Sequence, residues 1–407
     1  MARQYAPKTF LRQAPNGLLK EYLTRQDIGA EINWNELSES DVDPIFEVIT
    51  SAPGAIQNTC ESDFRKILDM ADEGGVRTMI EEGKHPNRRI DLAPIFERMS
   101  GPLECAFWVF LSHPDLFTVA ERFDYADGLR FNTRGSIPDP IEPITHESAK
   151  PNLEAALSEY YIKQGRGRGC HVDYYRRGDR RYCFCFLEDY AETRPEYDDE
   201  HHFKMEKHRP AFEVIFIYDP IEHTLESRVK GGREVRADVE MRFGQAILGV
   251  DLGELGESEV VHKLDALLDR DFQFPTRPDD RIEQVAVRQL RLSVKGRRQW
   301  ITLDVGSDSP QGAIYDLLDD VLSEPNFSPS AVRVDRARLK VTFRPDESGK
   351  PRNRTFTISH PDSHTLKNDP NDEIIKSCLK RWKLDVSGSD ESGAPKPGEP
   401  AQYRLWR

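Results

Sequence analysis

The sequence predicts an α+β protein of several domains: a helical N-terminal domain, then mixed or antiparallel sheets built from repeated strand-strand-helix units. Two observations carry this expectation. A unit of two strands and a helix recurs at 212–248, 285–322 and 332–382, the apolar spacing switching within each from two to about 3.6. Upstream of residue 145, apolar residues instead fall at helical spacing with turn residues between them.

Ser38-Glu39-Ser40-Asp41 offers side-chain oxygens to cap a helix over 42–49. Phe64, Ile67, Leu68 and Ala71 share a helix face, and Gly74-Gly75 interrupts before another helix over 76–82. Residues 91–111 are the most apolar helical stretch, broken at Gly101-Pro102, and a helix apolar on nearly every side belongs at the centre of its domain. His113-Pro114 supplies a stop, because the residue before a proline disfavours helical backbone. The proline-rich stretch 132–151 reads as a connector into a helix over 153–163.

Residues 170–175 and 182–187 then read as a hairpin. With Arg177-Gly178 as its central pair, Cys170 would face Cys185 and Val172 would face Cys183. Residues 188–208 are strongly polar and are expected to form a long loop or flap. The two later units look like a tandem pair, Arg288-Gln289-Leu290-Arg291-Leu292-Ser293-Val294 paralleling Asp335-Arg336-Ala337-Arg338-Leu339-Lys340-Val341. Such repeats can pair into one sheet with helices on one face, although ordinary strand alternation gives the same likeness by coincidence. The expected domains are therefore 1–145 (helical), 146–275 (α/β with an arginine-rich hairpin), 276–386 (tandem units) and a flexible tail, 387–407.

Composition narrows the function. The chain has 407 residues, 71 acidic against 57 basic, for a net charge of -14. Any phosphate-binding surface must then be local and set apart from an acidic remainder. With 37% hydrophobic and 31% charged residues, the chain can bury sizeable cores and lies outside the disordered regime. No stretch approaches the ~18 apolar residues of a membrane span, and no apolar segment follows the N-terminus. A cytoplasmic location without a membrane partner is the expectation. Six cysteines in so long a chain do not make a disulfide framework.

The sharpest local anomaly is basic. Arg166, Arg168, Arg176, Arg177, Arg180 and Arg181 lie close together, interleaved with Tyr160, Tyr161, Tyr174, Tyr175 and Tyr182. Guanidinium groups fork onto phosphate oxygens and tyrosine rings stack on bases, so Tyr174 and Tyr175 join the arginines as candidate nucleic-acid contacts. A second cluster, Arg288, Arg291, Lys295, Arg297 and Arg298, surrounds the first hairpin of the tandem pair. Charge also blunts hairpin tips in proteins that bind no nucleic acid. The Gly165-Arg166-Gly167-Arg168-Gly169 run matches no named phosphate loop. The acidic run from Glu188 to Glu200 is expected either to be solvated or to compete with phosphate for the neighbouring arginines.

Catalytic and metal patterns are weaker. Cys170, His171, Cys183 and Cys185, with His201, His202 and His208, are the right donor types for zinc at the wrong spacing. His360, Asp362 and His364 fall at alternate positions, although Pro361 argues against a continuous strand there, and Asp173, Glu188 and Glu213 could converge from adjacent strands, yet neither set makes a recognisable site. No cofactor or catalytic residue is assigned. The expectation is a non-catalytic nucleic-acid-binding or sensing subunit, partnered by other protein subunits of a larger bacterial assembly, with a phage-defence complex as one natural setting. The alternatives are a protein-only scaffold, with Tyr403, Leu405 and Trp406 of the tail binding a partner, and a metal-dependent, nuclease-like hydrolase.

Overall fold

The computed structural model describes residues 5–134, 137, 149–198, 202–253, 261–294, 299–322, 331–345, 352–367 and 369–387. A helical region comes first: α1 (Pro7–Gln13), α2 (Asn16–Arg25), α3 (Asp43–Ser51), α4 (Gly54–Asp69), α5 (Glu73–Gly83), α6 (Ala93–Phe96), α7 (Pro102–Ser112) and α8 (Pro114–Asp127). Phe10, Tyr22, Phe64 and Phe107 meet in its core, Phe10 and Phe64 stacked with centroids 4.5 Å apart. α7, the most apolar helix, buries Cys105, Ala106, Phe107, Val109 and Leu111, as its composition requires.

Two local expectations are corrected here. The capping residue of α3 is Val42, without a side-chain cap, because a proline in the first turn already sets helical backbone there. Gly74 and Gly75 do not interrupt a helix; they form the first turn of α5, their N–H groups donating to the Asp72 carboxylate. A β-carbon at Gly75 would collide with the Met70 carbonyl, so close backbone approach dictates that glycine.

The rest is one ten-stranded antiparallel sheet with helices on both faces. In chain order its elements are β1 (Asn132–Arg134), α9 (Ala149–Ile162), β2 (Cys170–Arg177), β3 (Arg180–Glu188), β4 (Glu192–Tyr197), β5 (Phe203–His208), β6 (Ala211–Asp219), β7 (Thr224–Arg228) and α10 (Arg233–Phe243). There follow β8 (Ile282–Val294), β9 (Trp300–Asp304), α11 (Ala313–Leu322), β10 (Val332–Phe343), β11 (Asn353–Ser359), β12 (Ser363–His364) and α12 (Pro370–Arg381). The strand order is β2-β3-β6-β7-β1-β12-β11-β10-β8-β9, while β4 and β5 pair only with each other.

Three further readings change. The central residues of the β2–β3 turn are Gly178-Asp179, so Cys170 faces Leu187, Val172 faces Cys185 and Tyr174 faces Cys183. Gly178 takes φ +58°, which glycine adopts freely and which suits the twist of a two-residue hairpin. Within the expected flap, β4 and β5 form a ribbon with Pro195, Tyr197, Phe203 and Met205 on one face and charged pairs on the other. Pairing with no other strand, this ribbon tolerates Pro195 and the charges that made it read as a loop. Finally, part of the expected connector is β1, a strand in the middle of the sheet.

The strand-strand-helix units are present as β6-β7-α10, β8-β9-α11 and β10-β11-α12. α11 and α12 cover one face, Ile314, Leu318, Ile375 and Leu379 packing on Leu290, Leu339, Val341 and Phe356. α8 packs Phe123 and Ala126 on Tyr182, Phe184, Ile215 and Ile217 of β3 and β6. α9 and α10 cover the alternate residues of the same two strands, Cys183, Cys185, Val214 and Phe216. Register carries these faces across the sheet. Ser227, Asn132, Ser363, Ser359, Arg336, Arg291 and Thr302 form one continuous row over seven strands, and Ser227 bonds Glu240 of α10. α10 therefore lies on the face opposite α11 and α12, leaving that face of β11-β10-β8-β9 uncovered by them.

The seam between the two halves is narrow and ionic. β1 pairs with β7 through its three residues but with β12 only at Asn132–Ser363. Behind it, Arg134 and Arg236 each lie 3.6 Å from the fully buried Glu240, and Arg236 also pairs with Asp362 in the turn before β12. Burial pushes the Glu240 carboxyl up, against the pull of Arg236 and Arg134. His262 sits buried beside this seam, its ring centroid 5.7 Å from that of the half-buried His364, and its backbone N–H donates to the Pro361 carbonyl. Burial holds the His262 imidazole below its ordinary value, outweighing the opposite pull of Asp385 and Asp362.

A histidine kept neutral in the fold but free to protonate when unfolded contributes stability that is lost as pH falls below about 6.5. Urea unfolding of the native protein and the His262→Leu variant between pH 7.5 and 5 should show the native protein losing up to about 1.4 kcal/mol per pH unit relative to the variant. Parallel profiles would contradict a neutral buried His262.

Candidate nucleic-acid interface

The arginines that crowd the sequence around the β2–β3 hairpin are mostly drawn into the fold. Arg177 crosses from the hairpin to the helical region, meeting Glu81 of α5 at 2.6 Å and Asp127 of α8 at 2.8 Å. Arg180 pairs with Asp219 at 3.0 Å, and Arg181 is buried, donating to the Asp179 carbonyl. Arg166 lies over the Phe212 ring at 4.3 Å, with Asp189 3.7 Å away. Tyr174 and Tyr175 are half-buried, Tyr175 edge-on to Phe123 and Phe184. Only Arg168 and Arg176 of this group are exposed, and Arg176 bonds back to the Gly178 carbonyl. A cleft of about 970 Å³ opens beside the hairpin tip, but its lining mixes Arg77, Lys84 and Arg176 with Glu82, Asp179 and Glu373. Such a lining has no single sign for a polyanion to follow.

The second cluster divides. Arg288 is buried and donates to the Ser309 carbonyl at 2.7 Å, bracing the segment before α11. Arg291 points to the uncovered face, its guanidinium 4.5 Å from the Trp300 ring centroid. Lys295, Arg297 and Arg298 lie outside the described residues, as do Tyr403, Leu405 and Trp406.

On that face, which no helix among the described residues covers, the strands assemble a basic surface that residue density along the chain did not reveal. β10 buries Val334, Ala337, Leu339 and Val341 toward α11 and α12, and Arg333, Arg336, Arg338 and Lys340 alternate with them onto the opposite side. Arg336 stands opposite Arg291 on β8 and Ser359 on β11, Arg338 opposite Gln289 and Thr357, and Lys340 opposite Ala286 and Thr355. Trp300, 59% exposed, stands on the edge strand β9. The positive groups are partly balanced: Arg338 pairs with Asp304 at 2.5 Å and Arg333 with Asp335 at 2.9 Å. Both pairs are solvated on at least one side, where such contacts exchange readily with a phosphate.

At the inner end of this floor Arg233, Arg291, Arg333 and Arg336 line a concavity of about 590 Å³ with Asp335, Ser359, His360 and Pro361. Arg233 opens α10 immediately after Gly231-Gly232, so the start of that helix forms the inner wall. The alternation over 336–341 is plain in the sequence; what it does not reveal is the register shift between Val334 and Arg336 that brings Arg333 to the same side, or which face the helices leave open.

The metal and hydrolase candidates are dispersed. Cys183 and Cys185 are buried among Val214 and Phe216, and burial pushes their thiols up. Asp173 bonds His171 at 3.0 Å, Glu188 bonds Arg209 at 2.8 Å and Glu213 bonds Tyr125 at 2.9 Å, so each carboxylate has its own neighbour. Among the described residues no three His, Cys, Asp or Glu side chains come together as a metal site, and no helix is long and apolar enough to cross a membrane. No protein-family model, curated protein or solved structure matches the chain.

Removing Arg177 leaves Asp127 buried without its cation, and breaking such a pair from one side is costly. Arg177→Ala should lower unfolding free energy by about 3 kcal/mol, whereas Arg168→Ala/Arg176→Ala should stay within about 0.5 kcal/mol of the parent. Chemical denaturation of the three proteins decides whether the hairpin arginines divide as the contacts require.

Proposed function

We propose that this protein is a non-catalytic nucleic-acid-binding or sensing subunit whose phosphate-contacting surface is the uncovered face of β11-β10-β8-β9. The observation that carries the reading is the row of Arg336, Arg338 and Lys340 on one strand, beside Arg291 and the exposed Trp300, in a chain of net charge -14. Retaining a segregated basic face on an acidic protein suits a polyanion, since electrostatic attraction to phosphate is local and falls off within a Debye length of about 8–10 Å. Threonines opposite these cations add hydroxyl donors for sugar and phosphate oxygens. Trp300 offers a ring for base stacking, which tolerates any sequence. A larger bacterial assembly, such as a phage-defence complex, is a setting in which a binding subunit of this kind would act.

The scaffold reading is favoured by a different feature, the ribbon of β4 and β5, where Tyr197, Phe203 and Met205 are 71%, 60% and 57% exposed. Exposed apolar side chains gathered on one face suit a protein partner. The two readings are compatible if the ribbon holds a partner while the sheet face holds nucleic acid.

Fluorescence anisotropy with labelled single- and double-stranded DNA and RNA across a salt series tests the reading. Arg338→Ala/Lys340→Ala should weaken binding about tenfold or more and reduce the salt slope by about 2, and Arg168→Ala/Arg176→Ala should leave both unchanged. The opposite pattern would move the interface to the hairpin; no binding to any polynucleotide at low salt would retire it.

A further inference from the structure

The concavity at the inner end of the sheet face differs from the floor beside it in charge and shape. The floor is open and presents Arg338 and Lys340 on separate rungs, the spacing at which successive phosphodiesters, one negative charge each, can be met. Among the described residues, the concavity brings four guanidinium groups around about 590 Å³ with Asp335 as the only carboxylate in its lining. A lone internucleotide phosphate does not balance that charge. A phosphate monoester carries close to two negative charges at neutral pH and three acceptor oxygens, and a polyphosphate carries more. Guanidinium forks are built for such groups, because each can donate two parallel N–H bonds to one pair of oxygens.

Two structural details sharpen the assignment. The Nε of Arg291 is buried and makes no hydrogen bond among the described residues, while its guanidinium carbon lies 4.5 Å from the Trp300 ring centroid. A donor held in place without an acceptor is costly unless a ligand supplies one. The floor also ends at this point: the start of α10 and the turn at His360-Pro361 stand at the concavity. A strand followed along β10 from Lys340 and Arg338 toward Arg336 and Arg333 meets a wall there.

We infer that this concavity is a site for the terminal phosphate of a nucleic-acid strand, with Arg291, Arg333 and Arg336 as its principal ligands and Trp300 stacking a base near that end. The inference rests on the nucleic-acid reading above and adds to it what the site recognises, a strand end in place of an internal segment. The same chemistry would accept a free nucleotide, and the test separates the two sources.

The full-length protein is titrated with one labelled single-stranded oligonucleotide in three forms: hydroxyl at both ends, 5′-phosphorylated and 3′-phosphorylated. Unlabelled mononucleotide and inorganic phosphate serve as competitors. One phosphorylated form should bind about tenfold or more tightly than the hydroxyl form, the worth of one or two charge-assisted bonds. Arg291→Gln/Arg333→Gln should abolish that difference, while the hydroxyl form, still held by Arg338 and Lys340, loses no more than the one floor contact that Arg291 makes. Arg291→Lys/Arg333→Lys, which keeps the charge and guards against a folding defect, should retain part of it. Equal affinity for all three forms overturns the strand-end site and leaves the floor standing. Mononucleotide competing strongly, with no advantage for either phosphorylated strand, overturns it in favour of a nucleotide pocket. Binding of no form overturns both the site and the reading on which it rests.

Discussion

The architecture depends on a junction only a few residues wide. β1 contributes three residues to the sheet, and its link to β12 is a single register pair, Asn132 with Ser363. Backbone pairing of that extent would not by itself hold two half-sheets in register. The buried set of Arg134, Glu240, Arg236 and Asp362 closes the joint, because each charge would be left in low dielectric if the halves separated without solvent entry. A buried ion pair is weak evidence for net stability, because desolvation offsets its attraction. Here the geometry fixed is the position of α10 against the floor: Arg236 and Glu240 lie on that helix, and Arg233, one turn from Arg236, lines the concavity. Seam and basic face are thus joined by successive turns of one helix.

Arginine placement follows from desolvation. A guanidinium taken from water needs acceptors on most of its donors, and the hairpin arginines find them in Glu81, Asp127 and Asp219. Those carboxylates lie far away in sequence, so a dense basic run in the chain gave no sign that its charges would be answered internally. On β10 the reverse holds. Its cations are spaced two or three residues apart and look sparse along the chain, yet the pleat and one bulge place them on one side, and neighbouring strands add Arg291 and Trp300. Cross-strand register, which no local pattern encodes, converts a scattered set into a surface.

The elements most legible in the sequence are those stabilised by their own periodicity. The strand-strand-helix units are found where alternation and helical spacing marked them, and α7 occupies the centre of the helical core as its uniform apolarity demands. The illegible ones owe their state to distant partners. β1 reads as a connector because three residues carry no periodicity, and it becomes a strand only when β7 and β12 flank it. The ribbon of β4 and β5 reads as a loop because its core-facing signal is absent: its apolar residues face solvent. Which face α10 would take was likewise unreadable, since each helix alone satisfies the same amphipathic rule.

The chain order of that junction sets a schedule for the protein's manufacture. Asn132 cannot find Ser363 until more than two hundred further residues have left the ribosome. The first half-sheet can assemble long before, since β2, β3, β6, β7 and β1 are all complete by Arg228. Throughout that interval the β12-facing side of β1 is an unpaired sheet edge, the kind of template that recruits foreign strands. It is short, three residues ending in a buried arginine, and brevity is one of the ways natural sheets keep an open edge from becoming sticky. The narrowness that makes the finished joint depend on ion pairs also makes the unfinished one safe to expose.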